Sequence, residues 1–93
     1  MIPTCNGLVP TRVGTGQSDV INGTAGRDVI VGLGGNDTIN GQGGDDVVCG
    51  GDGADTIDGG NGNDWLDGGP GLDSLRGSAG TDTCLSGEAR LSS

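Results

Sequence analysis

The amino-acid sequence predicts an all-β solenoid, a parallel β-roll of two facing parallel sheets wound from about four 18-residue turns. Three observations predict it. A nine-residue unit repeats eight times, without insertion or deletion, from Gly14 to Leu85. Position six of that unit is always Asp and position eight is always apolar. The composition, with 23 Gly, one Trp, no Phe and no Tyr, denies the chain an ordinary core. A fixed short period marks units that cannot bury an apolar face alone and must stack on their neighbours.

Residues 1–13 precede the repeats and form an N-terminal capping segment, with Ile2, Pro3, Leu8 and Val9 to offer as cover. Residues 14–85 are the roll, and residues 86–93 a C-terminal tail. Within each unit, positions one to five read as loop and positions six to nine as a short strand. Side chains alternate along a strand, so positions six and eight face inward while seven and nine face out. The inward column is Ile21, Ile30, Ile39, Val48, Ile57, Leu66, Leu75 and Cys84. Cys84 therefore reads as a small core residue, with pairing to another chain or to a cysteine beyond Ser93 as the alternative. Gly at positions one and four lets the loop turn tightly and present its carbonyls. Two units close one turn, so loops 18 residues apart stack at roughly the 4.8 Å strand spacing.

The two outer faces differ. Odd repeats present Val20, Asn22, Thr38, Asn40, Thr56, Asp58, Ser74 and Arg76, a polar face on which Arg76 lies one turn from Asp58. Even repeats present Val29, Val31, Val47, Cys49, Trp65, Asp67, Thr83 and Leu85. So apolar a stripe on a small domain calls for a partner, either residues 1–13 or a second molecule on the Val29/Val47/Trp65 face. Trp65 reads as part of this packing stripe in preference to a ligand-stacking platform.

Stacking also makes two rows of carboxylates: Asp19, Asp37, Asp55 and Asp73 in one, Asp28, Asp46, Asp64 and Asp82 in the other. Like charges at this spacing repel unless cations sit between them. The donors are carboxylate and carbonyl oxygens, with no His and no clustered thiols, which suits Ca²⁺ over Zn²⁺ or copper. Four turns leave three gaps per row, so four to six ions are expected; four would bring the net charge from −9 to −1. Thirteen acids against four Arg exclude nucleic acid as a partner. No apolar run is long enough for a membrane span, and residues 1–13 lack the basic start and apolar centre of a signal peptide. No catalytic constellation is visible, since His, Lys and Tyr are absent and no base can be placed beside a Ser. With so small an aliphatic core and so much Gly to order, the metal-free chain is expected to be unfolded.

The units GGDGADTID (50–58) and GGNGNDWLD (59–67) match G-G-x-G-x-D-x-U-x at every position, and in this the chain resembles the RTX, or hemolysin-type, calcium-binding repeat family over residues 14–85. The resemblance implies a right-handed roll with calcium held between loops of adjacent turns. Its ligands would be both position-six Asp, carbonyls from positions one and three of one loop, and carbonyls from positions two and four of the next. Carried over, the pairs are Asp37/Asp55, Asp55/Asp73, Asp28/Asp46, Asp46/Asp64 and Asp64/Asp82. The Asp19/Asp37 pair is set apart, because Gln17 replaces the position-four Gly. The carbonyls would come from Gly32, Gly34, Gly35, Gly41, Gly43, Gly44, Gly50, Gly51, Asp52, Gly53, Gly59, Gly60, Asn61, Gly62, Gly69 and Gly71. Pro70 keeps its carbonyl and does not interrupt the series. Similarly placed cysteine pairs in related nonapeptide proteins, and the shared even-repeat face, imply a Cys5–Cys49 disulfide. A disulfide in turn implies a secreted, extracellular setting that supplies calcium. The expected function is a non-enzymatic module that folds on binding calcium. Rival expectations are a fibre subunit stacking end to end through its open strand edges and an ice-binding solenoid. The second has only Thr38 and Thr56 to form a ladder.

Overall fold

The structure, a computed structural model, describes residues 4–71 and 73–85 and the backbone of 88–90. Ten short strands follow one another along the chain: β1 (Arg12–Val13), β2 (Val20–Asn22), β3 (Val29–Val31), β4 (Thr38–Asn40), β5 (Val47–Cys49), β6 (Thr56–Asp58), β7 (Trp65–Asp67), β8 (Ser74–Arg76), β9 (Thr83–Leu85) and β10 (Glu88–Arg90). They alternate between two five-stranded parallel sheets, ordered β1-β3-β5-β7-β9 and β10-β8-β6-β4-β2. The described residues contain no helix. This is a β-solenoid of about four turns, as the period predicts.

Register follows from the repeat. Val20 pairs with Thr38 and Val29 with Val47, each partner two units along the chain. The inward column then meets in one core: Ile30, Ile39, Val48, Ile57, Leu66 and Leu75 are fully buried, with Ile21 and Cys84 packed against the two ends. Cys84 is a free thiol, and burial pushes its pKa up. The strands are one residue shorter than the sequence predicts, because position six joins the ladder only through its carbonyl. Thr38 N–H donates to Asp19 O at 2.8 Å, whereas Asp19 N–H donates to a carboxylate, Asp37 Oδ1, at 2.8 Å.

Both sheets extend past the repeats. β1 adds a strand beside β3, and β10 adds one beside β8, with Glu88 opposite Ser74. Strand edges offer unpaired N–H and C=O groups, and any extended backbone alongside gains by pairing with them. Six residues separate most successive strands, but only two lie between Leu85 and Glu88.

The apolar face is covered from within the chain. Cys5 is fully buried and, with Leu8, packs on Val29, Val31 and Val47 alongside Cys49 and Trp65. A disulfide joins Cys5 to Cys49. Asn6 and Gly7, at φ 53° and 77°, turn the chain so that Cys5 and Leu8 exchange backbone hydrogen bonds of 3.0 and 2.9 Å. Asn-Gly is the strongest two-residue hairpin signal a sequence carries, and here it closes the cap. Val9, expected to help cover the face, is exposed because it lies beyond that hairpin; Ile2 and Pro3 fall outside the described residues. Asp58 lies opposite Arg76 in the register, but its carboxylate accepts from Gly60 N–H in the loop that follows it and from Ser78 Oγ in the loop one turn on.

Candidate metal centre

The six-residue loops between strands stack into two columns, and each column carries one row of Asp. Asp28, Asp37, Asp46, Asp55, Asp64 and Asp73 are buried, while Asp19 and Asp82, at the ends, are half-buried. From Asp37 to Asp82, Oδ1 of each carboxylate accepts the backbone N–H of the Asp one turn earlier. The distances are 2.8 Å for Asp37 N–H to Asp55 Oδ1 and for Asp46 N–H to Asp64 Oδ1, and 2.7 Å for Asp55 N–H to Asp73 Oδ1. The other oxygen is different. Oδ2 of Asp37, Asp46, Asp55, Asp64 and Asp73 is buried with no hydrogen-bond partner. A buried unpaired carboxylate oxygen is among the costliest groups a fold can carry.

The consequence appears in the acidities. Burial away from water, opposed by the N–H of Asp37 and reinforced by the neighbouring charges of Asp37 and Asp73, pushes Asp55 up to about 7. Burial likewise takes Asp64 to about 7 and Asp46 to about 6, and raises Asp37 and Asp73.

Position one is Gly for reasons of space. A Cβ on Gly41 would meet Asp46 Oδ2 at 2.6 Å and the carbonyl oxygen of Gly59, one turn on, at 2.8 Å. At Gly32 the same point lies 2.7 Å from Asp37 Oδ2 and 2.6 Å from Gly50 O; at Gly50 it lies 2.6 Å from Asp55 Oδ2 and 3.0 Å from Gly68 O. The unpartnered carboxylate oxygen and the next turn's position-one carbonyl thus converge on one small space that glycine keeps free. Each close pair is one carboxylate and one carbonyl oxygen from successive turns, the hard donors that Ca²⁺ takes.

Further carbonyls line the same gaps. Gly51 O lies 2.8 Å from the Cβ position of Gly69 in the following turn, and the carbonyls of Leu33, Gln42, Gly35, Gly44, Gly53 and Gly62 lie against glycines one turn on in the same manner. Positions two and four therefore approach from the earlier loop and position one from the later loop. The cause is the left-handed backbone at both positions: φ is 69° at Leu33 and 87° at Gly35, 68° at Gln42 and 82° at Gly44. Leu33, Gln42 and Gly68 consequently join the candidate donors, which a search for glycines and carboxylates does not find. Position three, with Gly34, Gly43, Asp52 and Asn61, sits at the rim, where Asp52 and Asn61 are exposed. No group of three or more His, Cys, Asp or Glu side chains comes together among the described residues, so backbone oxygens must supply most of any coordination shell.

Position five, which the repeat motif leaves unspecified, carries a ladder of its own. Asn36 Oδ1 accepts Ala54 N–H at 2.8 Å, Asp45 Oδ1 accepts Asn63 N–H at 2.8 Å and Asn63 Oδ1 accepts Thr81 N–H at 2.9 Å. The polar residues at this position were the available signal.

A solenoid whose turns are joined by oxygen-lined, carboxylate-bearing loops belongs to the cation-binding β-rolls. Among protein families, the model of the RTX calcium-binding nonapeptide repeat matches this chain in four copies, over residues 13–48 and 50–84. The chain belongs to that family. Comparison with curated proteins and with solved structures gave no match.

Proposed function

We propose that this chain is a non-enzymatic extracellular module that binds calcium in the gaps between successive loops and folds as it does so. The observation that carries the reading is the set of buried carboxylate oxygens left without partners, those of Asp37, Asp46 and Asp55 lying close to a carbonyl oxygen of the next turn. The donor set is all hard oxygen in flexible loops, the chemistry Ca²⁺ prefers. Calcium bound there supplies the positive charge that lets two neighbouring carboxylates stay ionised inside the roll. The chain's own part is to hold Asp37, Asp46, Asp55 and Asp64 in line, exclude water from them, and aim the loop carbonyls at the same gaps. Free energy of binding then becomes free energy of folding, because an unfolded chain offers no such arrangement. The Cys5–Cys49 disulfide fits an oxidising, calcium-rich compartment.

Far-ultraviolet circular dichroism during a calcium titration tests the proposal. Wild type should pass cooperatively from coil to β. An Asp46→Ala/Asp55→Ala variant should need about tenfold more calcium or higher, the range lost when a site's supporting groups are removed. Undiminished β content in excess chelator would defeat folding on binding.

A further inference from the structure

The first two loops of the stack are built differently from the six that follow. In loops three to eight, position two is left-handed, even where it is Leu33, Gln42 or Ser78, at φ 69°, 68° and 64°. In loops one and two, position two is Thr15 or Thr24, and neither it nor position four, Gln17 or Gly26, is left-handed. A β-branched residue is a severe misfit in that region, whereas unbranched side chains tolerate it at modest cost. Thr also has an alternative. Thr15 donates its backbone N–H to Asp19 Oδ2 at 2.7 Å and its Oγ1–H to the same oxygen at 2.9 Å. Thr24 N–H donates to Asp28 Oδ2 at 2.7 Å, with its Oγ1 at 3.2 Å from Asp28 Oδ1. The oxygen left unpartnered in the five Asp from Asp37 to Asp73 is thus already satisfied in Asp19 and Asp28.

Oδ2 faces the gap to the following turn. A Cβ on Gly23 would touch Asp28 Oδ2 at 2.5 Å and Gly41 O at 2.8 Å, so the capped oxygen of Asp28 borders the gap to Asp46. Position-four carbonyls differ as well. In the later loops the oxygen is the nearest atom to the next glycine, but Gly26 presents its C and O equally, both at 2.5 Å from the Cβ position of Gly44. The first gap of each row has therefore lost its free carboxylate oxygen and the aligned carbonyl of position four together.

We propose that Thr15 and Thr24 are stop residues of the calcium ladder. Ions then occupy the Asp37/Asp55, Asp46/Asp64, Asp55/Asp73 and Asp64/Asp82 gaps, while Asp19/Asp37 and Asp28/Asp46 are closed by internal hydrogen bonds. This rests on the calcium-binding reading above and adds to it which gaps are open and which residue closes the others. Loop two isolates the cause, since Gly23, Gly26 and Asp28 all fit the repeat and Thr24 alone departs at the second glycine.

Native mass spectrometry of the full chain at saturating calcium tests it, with Thr24→Gly alongside. Wild type should carry four ions and Thr24→Gly five. Six ions on wild type would overturn the stop-residue proposal while leaving the calcium reading intact; no ions at all would overturn both. A folded Thr24→Gly protein still holding four would show that the threonine is not what closes the gap. Anomalous scattering from calcium in wild-type crystals decides independently of any variant: ions beside Asp37 and Asp46 toward the following turn support the proposal, and an ion between Asp28 and Asp46 refutes it.

Discussion

Each ladder carboxylate divides its two oxygens between two tasks. Oδ1 caps a backbone N–H from the turn before, which fixes the side chain inside the roll. Oδ2 is then held where only a cation or a proton can satisfy it. The proton alternative makes a pH prediction whose sign is fixed by the direction of the shifts. Burial raises Asp46 to about 6 and Asp55 and Asp64 to about 7, from an ordinary value of 3.8. A group with a raised folded-state pKa binds protons better folded than unfolded. Its help to the metal-free fold is thus fully present below 3.8 and is lost as pH climbs through 6 to 7. In chelator, circular dichroism should show β content rising as pH is lowered from about 8 to about 5. With calcium present, protons compete for the same oxygens, so the calcium midpoint should move to higher concentration over that interval. A metal-free chain that loses β structure on acidification would contradict the burial of these groups.

At the scale of the element, the nonapeptide makes the fold legible because one strand and one loop fit the unit with nothing left over. Sheet order, register and the inward column follow from the eighteen-residue spacing alone. The loops were legible as candidate cation sites through Asp and Gly, but not in their detail. Carbonyl direction depends on backbone angles that Leu33 and Gln42 adopt against their own preference, under pressure from the turns they stack on. Gln17 drew attention at position four, yet loop two, with Gly26 there, takes the same altered course, so the decisive residue is Thr at position two. β10 left no trace in the repeat pattern because pairing to a sheet edge asks only for extended backbone. The N-terminal hairpin is a separate element, and its attachment can be tested. The Cys5–Cys49 bond closes a sequence separation of 44 residues. Replacing both with Ser should lower stability in calcium by about 2–4 kcal/mol, read from denaturant unfolding. Loosening the hairpin from Val29, Val31 and Val47 should also raise binding of an apolar dye. An unchanged midpoint would mean that sheet packing alone holds this segment.

For the whole molecule, the question is whether the calcium rows end within the chain or continue into a neighbour. A solenoid exposes strand edges at both ends, and a row of ion sites left open there would join copies into a fibre. Stacking end to end needs a site at both ends, and the first turn offers none. At the first turn, Asp19 and Asp28 have their second oxygens occupied by Thr15 and Thr24. Asp73, in the last turn of its row, keeps its second oxygen without a partner, so it is the first turn that bars the contact. β1 and β10 add further strands at opposite ends of the roll, β1 on the sheet facing the N-terminal hairpin and β10 on the other. Calcium should therefore compact the chain without linking chains. Size-exclusion chromatography with light scattering at millimolar calcium should give a mass near 9.0 kDa that does not grow with protein concentration, and a smaller hydrodynamic radius than in chelator. A mass rising with calcium would place ions between copies and reopen the fibre reading. A Thr15→Gly/Thr24→Gly variant that associates while wild type does not would instead locate the barrier to assembly in those two hydroxyl-bearing loops.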